Sequence, residues 1–186
     1  HLLTDLSVAS DVTTYRSSTR RQINKAARHL AVRDDLGLER VIEMNRKTFE
    51  RQGQTLPYDP EILRRLDQAC RERDAACALF AVDAQDRLHA VVYLVWDSSS
   101  AYYLVGGGDP DLRSSGAHSL LMWHAIRRMA DVTQIFDFEG SMNRQIGRFF
   151  RGFGAEIIPY TVVEKMSVRY QPLRLPGSLR SFVRRS

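Results

Sequence analysis

The spacing of apolar positions divides the chain into a helical first part and a mixed second part. From Thr13 to Leu30, Ile23, Ala26, Ala27 and Leu30 fall on one side of a basic helix. Leu38 to Arg51 repeats Val41, Ile42, Met44, Thr48 and Phe49 at helical spacing, and Gly53 ends it. Asp59 as N-cap and Pro60 in the first turn open a third helix that runs to about Arg73. Its inner face is Ile62, Leu63, Leu66 and Ala69. The period then shortens to that of strands. Ala78 to Val82 is a short apolar strand, and Asp83 to Asp86 a hairpin-length turn. Leu88 to Trp96 is apolar on both faces, as at the centre of a covered sheet. Asp97 to Ser100 turns again and Ala101 to Val105 forms the third strand of an antiparallel meander.

A glycine-rich loop follows, Gly106-Gly107-Gly108-Asp109-Pro110, leading into a helix from about Ser115 to Ala130. That helix is apolar apart from a stripe of His124, Arg127, Arg128 and Asp131. Gln134 to Phe138 reads as a strand, Asn143 to Arg151 as a short helix ended by Gly152 and Gly154, and Ile157 to Lys165 as a last strand. A strand, a crossover helix and a strand imply a parallel pair beside the meander. The expected fold is therefore α/β in the broad sense (α+β): a mixed sheet with helices on both faces. The domain is expected to span 1–170, with 171–186 as a basic tail.

Composition narrows the class without naming it. With 186 residues, 44% hydrophobic and 26% charged, the chain can bury one sizeable core. A disordered tail and a membrane-embedded protein are excluded as overall descriptions. Because the first residue is His1 rather than Met, a processed chain or an excised fragment is expected. Lys and Arg number 27 against 22 Asp and Glu, a net charge of +5. The excess is clustered at Arg16, Arg20, Arg21, Lys25 and Arg28, again at Arg144, Arg148 and Arg151, and in the tail. Arginine forks suit phosphate or carboxylate, so a phosphorylated ligand, RNA or an anionic surface fits, and so does plain solubility charge. Cys70 and Cys77 make no disulfide framework and no zinc spacing, and a reducing, cytoplasmic setting fits them. No metal is expected.

The chemistry concentrates where the parallel pair ends, because such a pair has its crevice at the carboxyl end. Gly106, Gly107 and Gly108 let a ligand approach the backbone closely. The next residues, Arg113-Ser114-Ser115-Gly116-Ala117-His118, lead into the helix, whose unpaired amides make a seat for phosphate. Ser114 or Ser115 is the expected N-cap. Asp137 and Glu139, two apart on one strand, would share a face, and a carboxylate raised in pKa there suits a general base. A solvated strand edge, or pairing with Arg144 and Arg148, is the plain alternative. Tyr103 reads as a cleft-wall aromatic.

Arg113 to Ala117 resembles the pyrophosphate loop of the GNAT acyltransferase superfamily, whose pattern is Arg or Gln, two residues, Gly, one residue, then Gly or Ala. His118 stands at the last of these positions. Tyr102 to Gly107, Leu120 to Ile126, Phe136 to Ser141 and Arg148 to Glu156, with the early segment Ser18 to Ala26, are together similar to the FemAB-like branch. Its members include peptidoglycan-bridge aminoacyltransferases. The resemblance covers about residues 1–166 and implies a GNAT-like sheet. It also implies a donor that is acyl-CoA or aminoacyl-tRNA, held by Gly106 to Gly108 and Arg113 to His118. The acceptor would be a small-molecule or cell-wall-precursor amine, met by Arg148, Arg151 and Tyr103, with Glu139 and Asp137 as catalytic candidates. Branch members usually carry a further GNAT-like half before this one, so a preceding half or a homodimer is an expected partner, with tRNA a candidate. Phe149 and Phe150 stand where many GNAT acetyltransferases have a Tyr proton donor. Two other classes stay open: a non-catalytic half that binds a carrier or partner domain, and an RNA-binding module driven by arginines.

Overall fold

The computed structural model describes residues 1–139 and 143–159. Among them six strands form one mixed sheet in the order β1-β6-β5-β4-β3-β2: β1 (Leu2–Leu3), β2 (Leu30–Arg33), β3 (Ala76–Asp83), β4 (Leu88–Trp96), β5 (Ser100–Gly108) and β6 (Ile135–Asp137). Every neighbouring pair is antiparallel except β5 with β6. The helices are α1 (Leu6–Ala9), α2 (Ser17–Ala26), α3 (Leu38–Glu50), α4 (Pro60–Arg71), α5 (Ala117–Ala130) and α6 (Arg144–Phe150). None is long and apolar enough to cross a membrane.

The sheet is covered on both faces, which is why its central strands read as continuous apolar runs. On one face α5 buries Leu120, Leu121, Met122, Ala125, Ile126 and Met129 against alternate residues of β3 and β4, including Leu79, Val92 and Leu94. On the other, Val41, Ile42 and Met44 of α3 and Leu63 of α4 pack on Phe80, Val91, Tyr93 and Val105. α4 begins as its sequence predicts: Asp59 accepts a hydrogen bond from the Glu61 amide, and Pro60 occupies the first turn. Its buried Asp67 accepts from Tyr93 Oη at 2.8 Å and pairs with Arg71 Nε at 2.8 Å.

Several elements differ from the sequence expectation. The helix expected over Thr13 to Leu30 is shorter at both ends. Residues 12–14 form a 3-10 turn capped by Asp11, and Tyr15 is extended and buried, its ring 5.0 Å from that of Phe153. The chain turns again after Ala26, so Leu30 begins an edge strand along β3. Leu30 and Val32 still reach the α5-side core, but with a period of two. β1 and α1 carry too few apolar positions to show a period. The Gly106 to Gly108 stretch is the end of β5 rather than a loop, paired with Val92, Val91 and Ala90. The strand expected over Ile157 to Lys165 lies mostly outside the described residues, as do Ser141 and the 171–186 tail. Glu156 forms only an isolated bridge to Leu2.

Candidate functional site

β5 and β6 run together for only three residues, Ser100 to Tyr102 against Ile135 to Asp137. β6 stops for a local reason. Glu139 takes a left-handed conformation (φ +60°), and its amide donates to Asp137 Oδ1 at 2.7 Å, closing a turn. The Phe138 amide is taken by the carbonyl of His1 at 2.9 Å. β5 continues for six more residues, 103–108, with no described strand on that side. The parallel pair expected from the strand, helix and strand order is present, and among the described residues it parts after Tyr102 and Asp137.

Aromatic rings floor the split. Phe138 lies 4.8 Å from Phe150 and 5.0 Å from Phe136, and Tyr103 of β5 meets Phe150 edge-on at 6.2 Å, so Phe150 bridges the parted strands. The Tyr103 phenol folds over Gly106, where any Cβ would collide with its hydroxyl. Burial pushes that phenol up to about 12, so it stays protonated at neutral pH.

The glycine edge is held from the α3 side. Asn45, 6% exposed on the otherwise apolar face of α3, donates from Nδ2 to the Gly106 carbonyl at 2.7 Å and accepts from Tyr58 Oη at 2.7 Å. One turn later Thr48 Oγ1 accepts from the Gly108 amide at 3.1 Å. Between these contacts Gly107 lies directly against the α3 backbone: a Cβ there would sit 2.5 Å from the Met44 carbonyl carbon. Sequence reasoning missed Asn45, Thr48 and Tyr58. The available signal was an amide and a hydroxyl interrupting the apolar stripe of α3.

The segment after β5 differs from expectation in its cap. Residues 113–115 form a 3-10 turn, and Gly116, in a left-handed conformation (φ +83°), is the N-cap of α5. Ser114 and Ser115 are not the cap; Ser115 Oγ comes within only 3.4 Å of the Ala117 amide, so the first turn has no strong side-chain acceptor. Two restraints shape the turn. Lys25 of α2 donates to the Ser114 carbonyl at 2.9 Å, and the back of Gly116 rests on Gln22, where a Cβ would lie 2.6 Å from a backbone oxygen. The His118 ring lies against Gly108, 2.8 Å from where a Cβ would stand, and burial brings its imidazole down to about 4, so it is neutral at pH 7.

Glu139 is exposed at the end of β6, and its carboxyl is raised above the usual range, first by burial and second by the charge of Asp137. The shared strand face predicted for the two does not exist, because the left-handed turn ends the alternation and Asp137 serves that turn. Arg148 is exposed on α6 and Arg151 half-buried just past it; neither forms an ion pair with Asp137 or Glu139. α2 lies across this end of the molecule, touching Gly152 through Thr19 and Gly116 through Gln22. Arg21 and Lys25 on α2 and Arg28 in the turn after it, with Arg113 nearby, are exposed and carry no carboxylate partner among the described residues. On α3, α4 and the β3–β4 hairpin, Arg40, Lys47, Arg64, Arg71 and Arg87 are paired, while Arg46 and Arg65 are not, among the described residues. No group of three or more metal-ligating side chains occurs among the described residues.

Residues 14–144 match the family model described as the acetyltransferase (GNAT) domain. The chain belongs to this family. The sheet of the described residues, with one parallel pair among them, also matches solved structures. Against the crystal structure of FemX the TM-score is 0.70 at 13% identity, over 82% of this chain and 57% of that one. Against a conserved protein of unknown function from Bacteroides thetaiotaomicron it is 0.63 at 12% identity, over 85% and 56%. A transcriptional regulator from Bacillus halodurans gives 0.58 at 14% identity, over 74% of this chain and all of that one. These identities speak to fold alone, and the chain spans little more than half of the first two. No curated protein matches the chain. Acyl transfer is the chemistry of the GNAT family, with acyl-CoA as donor and an amine as acceptor.

Proposed function

We propose that the split between β5 and β6 is where an acyl or aminoacyl group passes from a phosphate-bearing carrier to an amine. The observation that carries this is the parting of the strands after Tyr102 and Asp137, which leaves a glycine edge leading to the uncapped start of α5. Acyl transfer needs a neutral amine, a held electrophile and a donor for the developing oxyanion. Glu139 is the base: its raised carboxyl takes a proton from the attacking ammonium or amine. The amine nitrogen bonds to the carbonyl carbon, and the bond from that carbon to the carrier's sulfur or oxygen breaks. On this reading the Tyr103 phenol, folded over Gly106, supplies the proton or hydrogen bond that the carbonyl oxygen or the leaving atom needs, beside a glycine edge whose Gly106 carbonyl and Gly108 amide are held by Asn45 and Thr48. Asp137 acts on Glu139, as the charge that helps raise it and as the acceptor that fixes its turn.

The start of α5 fits a carrier phosphate: its first amides lack a strong side-chain acceptor, and Arg113 and Lys25 stand beside them free of carboxylates. Ser114, Ser115, Ala117 and His118 complete that seat, with His118 as a neutral hydrogen-bonding group. Arg21 and Lys25 of α2, about 6 Å apart along the helix at 1.5 Å per residue, with Arg28 just past its end, extend the cationic surface. That reach suits a nucleotide-bearing carrier, whether acyl-CoA or aminoacyl-tRNA. Arg148 and Arg151 meet the acceptor side, and the FemAB-like resemblance supports a cell-envelope precursor amine as acceptor and a cytoplasmic setting. A second reading has one observation behind it. The chain covers 57% of FemX, so it fits a carrier-binding half that works with a partner half or a second copy.

Melting the protein with CoA, acetyl-CoA and an aminoacylated RNA minihelix tests the reading, since a ligand of the native state raises Tm. The carrier that does so names the donor; no shift with any of them removes the proposal. Glu139→Gln is expected to lower turnover with donor binding unchanged. Donor binding without turnover in the unsubstituted protein leaves the carrier-binding half.

A further inference from the structure

A second cavity, of about 390 Å³, opens on the α3 side of the sheet, between α3, the β3–β4 hairpin and the chain just past Gly108. Its size lies at the low end of the ~300–1,000 Å³ usual for small-ligand sites. None of Tyr103, Phe150, Glu139 or the α5 start lines it. Its floor is apolar, made by Leu36, Met44, Val82, Leu88 and Leu112.

The rim carries both signs of charge. Arg33 lies 3.5 Å from Asp86, and Arg40 lies 2.8 Å from Glu43. Lys47 stands between Glu43 at 3.3 Å and Asp109 at 4.0 Å, and Arg87 is paired with Asp83 just outside. Asp109 is fixed before any ligand arrives. Its backbone amide donates to the His89 carbonyl at 2.9 Å and its Oδ1 accepts from the Asp111 amide at 2.9 Å. Among the described residues its other oxygen has only the distant lysine, so a carboxylate already held in place keeps acceptor capacity toward the cavity. The rim pairs are solvent-exposed, and such pairs hold together by about 0–1 kcal/mol, so a ligand with complementary charges can take their place.

This pattern selects the ligand. A simple anion drawn to Arg33, Arg40 or Arg87 meets a carboxylate beside each guanidinium, and a simple amine meets an arginine or Lys47 beside each carboxylate. Only a molecule with both charges close together satisfies the rim, and only one with an apolar body covers the floor. We propose that this cavity is a binding site for a small zwitterion with an aliphatic body, an α-amino acid. Its ammonium faces Asp109 and Asp86, and its carboxylate faces the rim arginines. The site is separate from the strand split but shares α3 with it: Met44 and Lys47 line the cavity, and Asn45 and Thr48 hold the glycine edge.

Isothermal titration of the protein with L-leucine tests this, beside leucine methyl ester, N-acetylleucine and inorganic phosphate. Leucine is expected to bind, and each singly charged analogue to bind at least roughly tenfold more weakly. Asp109→Asn and Arg40→Gln are each expected to weaken leucine by a similar factor, with Tm in the absence of ligand and the response to acetyl-CoA unchanged. Three results would overturn the site: no heat with leucine at millimolar concentration, phosphate or a singly charged analogue binding as tightly as leucine, or leucine binding indifferent to both substitutions.

Discussion

Gly107→Ala is the sharpest probe of how the site is built. The added Cβ would stand 2.5 Å from the carbonyl carbon and oxygen of Met44 and 2.7 Å from the Asn45 amide nitrogen, all backbone atoms of α3. Ordinary contact begins at 3.4 Å, so α3 has to retreat by 3.4 − 2.5, about 0.9 Å. That helix is wedged into the core by Val41, Ile42 and Met44, and overpacking of this kind costs about 1–3 kcal/mol. The same retreat stretches the Asn45 to Gly106 bond from 2.7 Å to beyond hydrogen-bond reach, at a further ~1–3 kcal/mol for buried groups left unmatched. The expected loss is about 2–6 kcal/mol, or roughly 4–24 °C in Tm for a chain of this length. Thermal unfolding followed by circular dichroism reads it. Gly53→Ala is the control, because Gly53 has φ +70° but open space around it, so strain alone limits its cost to about 1–2 kcal/mol. Hydrogen exchange adds a local readout, with the Gly108 amide losing protection. A Gly107→Ala protein that melts within about 2 °C of the parent refutes the claim that α3 seats its backbone on β5.

Other outcomes follow from the same contacts. Asn45→Ala strands the Gly106 carbonyl and the Tyr58 hydroxyl and is expected to cost about 1–3 kcal/mol; in a double-mutant cycle with Tyr58→Phe by denaturant unfolding, strict additivity would show that the two do not act together. His118 has its pKa lowered to about 4 in the fold from 6.5, so between these values the unfolded chain binds more protons. Stability therefore falls as pH drops from about 6.5 to 4, and His118→Gln should flatten that part of the Tm–pH curve; parallel curves would remove the imidazole as the cause. Arg113→Glu is expected to abolish the Tm increase given by the carrier without lowering Tm in its absence, because Arg113 is exposed and has no carboxylate partner among the described residues. Gly116→Val is a poor substitute, since a side chain there meets the Gln22 carbonyl at 2.6 Å and binding loss would be confounded with unfolding.

Much of the molecule is written in its local patterns. The α3 stripe, the Asp59-Pro60 start of α4, the doubly apolar run of β4 and the strand, helix and strand order that makes one parallel pair all follow from side-chain spacing and capping chemistry. These signals are local, each needing only residues a turn or a pleat apart. What they could not supply depends on partners far along the chain. Whether Leu30 closes a helix or opens a strand is decided by β3, which offers it an edge some 50 residues away. The three glycines read as a loop because glycine weakens isolated strands. They continue the strand, with α3 against Gly107, Tyr103 over Gly106 and His118 against Gly108 leaving no room for larger side chains, and Asn45 and Thr48, 61 and 60 residues away, taking up groups at its edge. Asp137 and Glu139 were legible as a pair, but not the left-handed turn that separates their roles. The sequence by itself determined which elements form and in what order; the tertiary structure decided which backbone groups stay free for a ligand, because that depends on contacts between elements that no local period encodes.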